Sequence, residues 1–225
     1  MLDERLSLCA EFVSGVGTVC DVGTDHAYLV AELIKSGKCS SAIACDIADG
    51  PLDFAKQTVE KNAIEDKVKI IKSDGLDNIL PDGITDVVIA GMGGELIRDI
   101  ILRTEWLKNN VNLVLQPMTK PEVLREALYK NGYFIKEEKC AVDKTHVYSV
   151  MSVSFCGEYK EKITLKEKWL GKIFDSKLPQ NRAYAELFIR KEKKIIDGMK
   201  KSEEKGLLKE HEEIAKLFDD FLKGR

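Results

Sequence analysis

Apolar residues follow two alternating rhythms along this chain up to about residue 157, and a single rhythm after it. Short, mostly apolar runs at 18–22, 41–46, 68–72, 85–90 and 111–116 have the pattern of strands buried on both faces. Between them the apolar positions shift to helical spacing, which predicts helices over about 27–36, 50–62, 94–103 and 121–130. Gly37 closes the first of these and Pro51 stands at the start of the second. An amphipathic helix over 3–14 precedes the first strand, with Leu6, Cys9, Ala10 and Val13 on one stripe. Two longer β-like runs, 133–141 and 146–155, read as an antiparallel closing pair. Repeated β-then-α units with such an ending predict an α/β fold whose sheet is mostly parallel, doubly wound and about seven-stranded.

Beyond Glu158 the β-branched runs vanish and lysine and glutamate dominate. Leu165, Trp169 and Ile173, then Tyr184, Leu187, Phe188 and Ile195, then Leu207, Ile214, Leu217 and Phe221 recur at helical spacing, with breaks expected at Pro179 and Gly206. The chain is therefore expected to divide into a sheet domain, 1–157, and a helical, coiled-coil-like tail, 158–225. The plainer alternative for the tail is a cap that packs on the sheet without touching substrate.

At 225 residues and 44% hydrophobic content the chain can bury one sizeable core. No run of 18 apolar residues occurs, and acids stand near the N-terminus where a signal peptide would be basic, so a cytoplasmic protein with no membrane partner is expected. The six cysteines are scattered without CxxC spacing, as befits buried reduced thiols. Nor do His, Cys and Glu cluster at metal-ligand spacing, and no metal is expected. The net charge of −3 is uneven: 158–225 carries 18 basic against 14 acidic residues, and 1–157 carries 17 against 24. A basic tail permits a nucleic-acid partner without requiring one.

Ligands on doubly wound sheets bind where strands end, which directs attention to Asp21, Asp46, Asp74, Ala90 and Gln116. The first strand ends in Asp21-x-Gly23 and turns at once into a helical pattern. A backbone without a side chain can approach a ligand there, beside the unpaired N–H groups of a helix start. Asp46, 23 residues after Gly23, sits where a carboxylate meets ribose hydroxyls. The turn has one glycine rather than the three of a dinucleotide fingerprint, and Asp21 and Asp25 would repel a pyrophosphate. A nucleoside with a cationic sulfonium tail suits it better, so S-adenosylmethionine outranks NAD.

Taken together, Asp21-Val-Gly-Thr-Asp-His26, Ala44-Cys-Asp-Ile47 with Gly50-Pro51, Ser73-Asp-Gly-Leu76, Ala90-Gly-Met-Gly-Gly94 and Leu115-Gln-Pro117 resemble the TrmK family of bacterial tRNA methyltransferases, over roughly residues 2–155. Members of that family use S-adenosylmethionine to methylate N1 of the adenine at position 22 of tRNA. The resemblance implies a class I methyltransferase fold with a C-terminal coiled-coil-like domain that helps hold tRNA. By position, it places Asp21, Gly23, Thr24 and His26 around the methionine end of the cofactor. Asp46 then takes the ribose and Ile47 the adenine face, Asp74 and Gly75 meet the adenine edge, and Gly91, Met92 and Gly93 line the site of methyl transfer. A monomer is expected.

Adenine N1 carries a lone pair in the ring plane and needs no strong base, but methylation leaves the ring cationic. Negative charge should therefore stand near it. Asp25, beside Asp21, is the candidate catalytic residue, as electrostatic stabiliser or acceptor of the exocyclic amine proton; its alternative is the N-cap of the following helix. His26 is a candidate to contact the cofactor or to orient Asp25, while His146 and His211 read as surface or packing residues. The small residues of Gly91-Met-Gly-Gly94 replace the Asn/Asp-Pro-Pro-aromatic grip common in methylation of exocyclic amines, which favours a ring nitrogen. Cys45, in a strand run, reads as buried rather than as a nucleophile. Rival readings are a methyltransferase of the same fold acting on a small molecule or protein, a non-catalytic RNA-binding protein on that fold, and an NAD-dependent oxidoreductase.

Overall fold

A computed structural model describes residues 2–143, 146–173, 177–201 and 206–224. Helix α1 (Glu4–Phe12), capped by Asp3, leads into strand β1 (Thr18–Val22). Then follow α2 (Tyr28–Lys35), β2 (Ser41–Asp46), α3 (Asp49–Lys61), β3 (Val68–Lys72), β4 (Ile84–Gly93), α4 (Gly94–Arg103), β5 (Asn112–Thr119) and α5 (Pro121–Lys130). The closing pair is β6 (Tyr133–Asp143) and β7 (His146–Phe155). These strands form one seven-stranded sheet in the order β3-β2-β1-β4-β5-β7-β6, parallel from β3 to β5 and antiparallel through β7 and β6. The order reverses direction at β1, so the connections leaving the carboxyl ends of β1 and β4 run to opposite sides, the place where ligands bind on such sheets. Among the described residues no helix is long and apolar enough to cross a membrane.

Strand alternation divides the core between the two faces of the sheet. Cys20, Val22, Val87, Ile89, Leu113 and Leu115 pack on the face covered by α4 and α5, whereas Val19, Val88 and Val114 pack with α1 and α2 on the other. Four expectations shift. Helix α2 starts at Tyr28, not Ala27, because Ala27 adopts a left-handed conformation (φ 53°). Strand β4 does not end at Ala90 but continues through Gly91, Met92 and Gly93 with an irregular register against β5, and β5 runs past Pro117 to Thr119. A 3-10 turn, Glu105–Lys108, follows α4 and has no periodic signal in the sequence. Of the six cysteines, Cys156 is exposed rather than buried.

Past the sheet come α6 (Leu165–Trp169), α7 (Pro179–Lys201) and α8 (Leu208–Leu222). The break expected at Pro179 is there, with Pro179 as the first residue of α7, where its fixed φ fits the first turn. Helices α7 and α8 run antiparallel: Arg182 reaches the Leu222 carbonyl, and His211 Nδ1 lies 2.6 Å from Glu192 Oε2. Their shared apolar seam includes Tyr184, Phe188, Ile214 and Phe218. Ile195 and Leu207, expected on that seam, are exposed, and Ile196 takes the buried position. Of the two readings for His211, surface or packing, the second holds: it packs between the helices as the partner of a buried glutamate. The tail is tied to the sheet by Arg125 of α5, fully buried, which donates to Glu138 of β6 (2.7 Å), the Lys168 and Trp169 carbonyls (3.0 and 2.9 Å) and Tyr184 Oη of α7 (2.9 Å).

Candidate active site

The turn after β1 is pinned from below. Gly23 N and Thr24 N both donate to the Cys45 carbonyl of β2, at 2.9 and 3.0 Å. This forces Gly23 to φ +76°, and a Cβ there would lie 2.3 Å from the Met92 methyl of β4. Met92 therefore lies against the turn, so the β1 and β4 ends form one continuous wall. Above it opens a cleft of about 450 Å³ whose lining includes Arg5, Asp21, Thr24, Asp25, Gly91 and Met118.

Its floor is polar and incompletely satisfied. Asp21 is buried, which pushes its carboxyl up to about 6; the Thr24 hydroxyl beside it and the nearby Arg5 charge oppose the shift, and Asp46 reinforces it. The Thr24 hydroxyl, on a residue only 2% exposed, has the Asp21 carboxyl within reach but makes no well-formed hydrogen bond among the described residues. A buried hydroxyl without a well-formed bond is costly unless something else fills the cleft. Gln116, fully buried at the end of β5, accepts from Arg5 Nη1 at 2.9 Å and Gly91 N at 3.0 Å through the same oxygen, and its amide donates to the Pro117 carbonyl. Arg5 is thereby held over the strand ends by a glutamine that cannot turn. Sequence periodicity placed Arg5 only on the polar side of a helix, so nothing in the spacing singled it out.

At the mouth, Asp25 projects into solvent with its side chain 79% exposed and lies 3.5 Å from His26 Nε2. It does not cap α2: the capping position is Ala27, which receives no side-chain bond. His26 is half-buried, with its ring parallel to Tyr28 at 5.1 Å and tilted against Phe54 at 4.7 Å. Across the reversal point, Asp46 at the end of β2 accepts from Ala48 N at 2.9 Å, leaving its other carboxylate oxygen without a bond among the described residues, and Ile47 stands 60% exposed beside it. Asp74 and Gly75 follow β3. Arg103 donates to the Asp74 carboxylate at 2.7 Å and pairs with Asp77, and its guanidinium would meet a Cβ at Gly75 at 2.8 Å. Arg103 is thus committed to this turn, while Arg98 pairs with Asp99 and Lys120 with Glu95. Asp21, Gly23, Thr24, Asp25, His26 and Gly91 come together around the cleft, with Met92 against its glycine, whereas Gly93 packs toward Thr119. Asp46, Ile47, Asp74 and Gly75 form a second group at the ends of β2 and β3. No group of three or more metal-ligating side chains converges among the described residues.

This floor fits a ligand with a cationic, hydrogen-bonding tail: a buried carboxylate and the Thr24 hydroxyl beside it lie under the cleft, and a carboxylate oxygen without a bond among the described residues stands at the neighbouring strand end where ribose hydroxyls would reach. Comparison with known proteins bears on which ligand. A family profile described as a methyltransferase domain matches residues 2–151. The tRNA (adenine(22)-N(1))-methyltransferase of Bacillus subtilis is 35% identical over 151 residues, 67% of this chain and 63% of that protein, so the sequence match spans less than two thirds of the relative's length. The crystal structure of the Bacillus subtilis m1A22 tRNA methyltransferase TrmK superposes with a TM-score of 0.87 at 26% identity, covering 99% of both chains. Streptococcus pneumoniae Sp1610, a putative tRNA (m1A22) methyltransferase solved with S-adenosyl-L-methionine, gives 0.85 at 25% identity over 99% of this chain and 100% of that one.

Proposed function

We propose that this chain, which belongs to the methyltransferase-domain family, is an S-adenosylmethionine-dependent enzyme that methylates N1 of an adenine in tRNA, at position 22. The observation that best supports this reading is that the likeness to the TrmK structure runs the length of both chains, tail included, over a cleft whose floor suits a cationic ligand tail. S-adenosylmethionine supplies an electrophilic methyl group.

The chain's own residues bind and orient. Asp21 and Thr24 hold the amino-acid end, with Arg5 fixed above them by Gln116, and Gly23 lets the backbone approach. Asp46 takes the ribose hydroxyls, Ile47 lies against the adenine of the cofactor, and Asp74 and Gly75 border that adenine's edge. Gly91, Met92 and Gly93 shape the side where the target ring enters, and the two glycines, lacking side chains, admit a flat base edge-on. Asp25, exposed at the mouth and beside His26, faces the charge that appears on the ring as N1 is alkylated. Positioning supplies most of the rate, because N1 needs no base to become a nucleophile. Exposed Arg190, Lys193 and Lys194 on α7 make no ion pair among the described residues and give the 158–225 tail a phosphate-binding face. The protein acts as a cytoplasmic monomer.

The test is transfer of labelled methyl from S-adenosylmethionine to unmodified tRNA transcripts, followed by nucleoside analysis. Label in N1-methyladenosine is the expected product, lost when the adenine at position 22 is replaced. Cofactor binding with no labelled RNA would overturn the reading in favour of a small-molecule or protein substrate.

A further inference from the structure

Beside the cleft lies a second depression, about 570 Å³, between α2 and α3. Its wall includes three aromatic rings, with His26 in contact with both Tyr28 and Phe54, and the outer two are open to solvent: Tyr28 is 56% and Phe54 48% exposed. Such a cluster is unusual on the surface of a charged chain, since two large rings are left wet although each has neighbours to pack against. Their arrangement is directional. The His26 and Tyr28 planes differ by 6°, so the stack ends in an open aromatic face, while Phe54 is inclined by 37° and forms the side of a slot. Lys35 and Lys61 stand on the rim, with Glu32 the acidic member of the lining. Lys35 donates to Asn62, and Lys61 makes no ion pair among the described residues.

The depression is not separate from the active site. His26 and Tyr28 line both, one side facing the cleft and the other the aromatic slot. Whatever occupies the slot therefore sits next to whatever occupies the mouth. An open aromatic face with cations at its rim matches an unstacked nucleobase with its phosphates, because every base offers a π-face and every linkage an anion. Enzymes that act on a base inside RNA must unstack it, and the nucleotide next to it then loses a stacking partner.

We infer that the Tyr28–Phe54 slot is a stacking platform for the nucleobase adjoining the target adenine, with Lys35 and Lys61 binding the phosphates on either side. The inference rests on the tRNA-methylating reading above and adds the contact that keeps the RNA open at the active site. Tyr28 and Phe54 are positioning residues: they touch the neighbouring base, not the reacting atoms.

The experiment is steady-state methyl transfer to tRNA transcripts by Phe54→Ala and Phe54→Trp, with S-adenosylmethionine affinity measured separately by calorimetry. Loss of one stacking partner corresponds to a rise of about 5- to 160-fold in KM for tRNA. For Phe54→Ala that rise is expected with kcat and cofactor affinity within about twofold of the parent, and Phe54→Trp should restore KM. A loss of fold would depress cofactor affinity as well and would not be rescued by tryptophan. A second readout uses transcripts with an abasic site on the 5′ or the 3′ side of the target. With one of the two, the effect of Phe54→Ala should vanish, because the base it stacks on is already gone. Full sensitivity to Phe54→Ala on both abasic transcripts, or an unchanged KM on the intact one, overturns the platform while leaving the function standing. Failure of the unsubstituted protein to label any tRNA overturns both.

Discussion

Replacing Gly23 by alanine separates the fold from the site, because the two costs can be sized independently. At φ +76° an L-residue pays about 1–2 kcal/mol in backbone strain. The added methyl would also stand 2.3 Å from the Met92 methyl, which must move. Methionine is flexible and partly buried here, so its displacement costs about 1 kcal/mol, the size of an off-rotamer side chain. The turn cannot slide away, since Gly23 N and Thr24 N are both tied to the Cys45 carbonyl. A total of about 2–3 kcal/mol lowers the melting temperature by about 4–12 °C and leaves a domain of ordinary stability folded. Cofactor affinity should nevertheless fall at least tenfold by calorimetric titration well below the transition, because the surface that lets a ligand meet bare backbone is gone. Adding Met92→Ala should return part of the stability and none of the affinity. A Gly23→Ala protein that melts as expected but binds S-adenosylmethionine within threefold of the parent would refute the placement of the cofactor over this turn.

Other consequences follow from the same geometry. Asp21 titrates near 3.8 when unfolded and about 6 when folded, so the native state holds the proton more tightly; stability present at low pH is lost as pH rises through that window, by about 3 kcal/mol at 1.36 per unit. In cofactor-free protein Asp21→Asn should therefore raise the urea midpoint at pH 7.5 and change it little near pH 4, while S-adenosylmethionine affinity of the unsubstituted protein should climb between pH 5 and 7 and that of the variant should not. Asp46→Ala should weaken cofactor binding by about tenfold or more, whereas Asp25→Ala should reduce turnover on tRNA and spare binding; methylation at the normal rate by Asp25→Ala refutes its role. Arg125→Met leaves Glu138 charged and unpaired in the interior and should cost about 3–5 kcal/mol by urea unfolding.

Most strands and helices were legible because each is long enough to declare a period, and the order of β-α units then allows few topologies. The misplaced boundaries lie where backbone conformation overrides composition. Ala27 carries a left-handed φ that its own residue type does not announce, and β4 continues through three glycine-rich positions that read as loop because the neighbouring β5 supplies their pairing. In the tail, Ile195 and Ile196 are adjacent and equally apolar, so periodicity alone assigns the wrong one; the buried stripe Tyr184, Phe188, Glu192, Ile196 keeps a four-residue spacing only by passing through a buried glutamate. Strand-end carboxylates were visible for the opposite reason: an acid that ends an apolar run stands out. Arg5 was invisible, since its importance comes from Gln116, which lies 111 positions away and meets it only in three dimensions.

The two edges of the sheet show how burial distinguishes a structural carboxylate from a functional one. Asp86, near the amino end of β4, is completely buried, and it accepts from Ser14 N at 2.7 Å, Ser14 Oγ at 2.6 Å, Thr85 Oγ1 at 2.8 Å and Asn112 Nδ2 at 2.7 Å. Its bonds tie α1 to the core strands, and nothing is left over for a ligand. Asp21, at the carboxyl edge of the neighbouring strand, is nearly as buried, yet its carboxyl is pushed up to about 6, with the Thr24 hydroxyl and the Arg5 charge offsetting only part of the burial. A chain selected for stability alone would fill that edge as it filled the other. Keeping a buried carboxylate with a raised pKa beside a positive-φ glycine costs the protein stability, a cost that a ligand bearing positive charge would offset. The same argument separates Asp74, whose carboxylate is neutralised by Arg103, from Asp46, whose second oxygen stays open: of the two acids beyond β1, Asp46 should carry more of the cofactor affinity, and Asp74→Ala should weaken binding less than Asp46→Ala in the same titration.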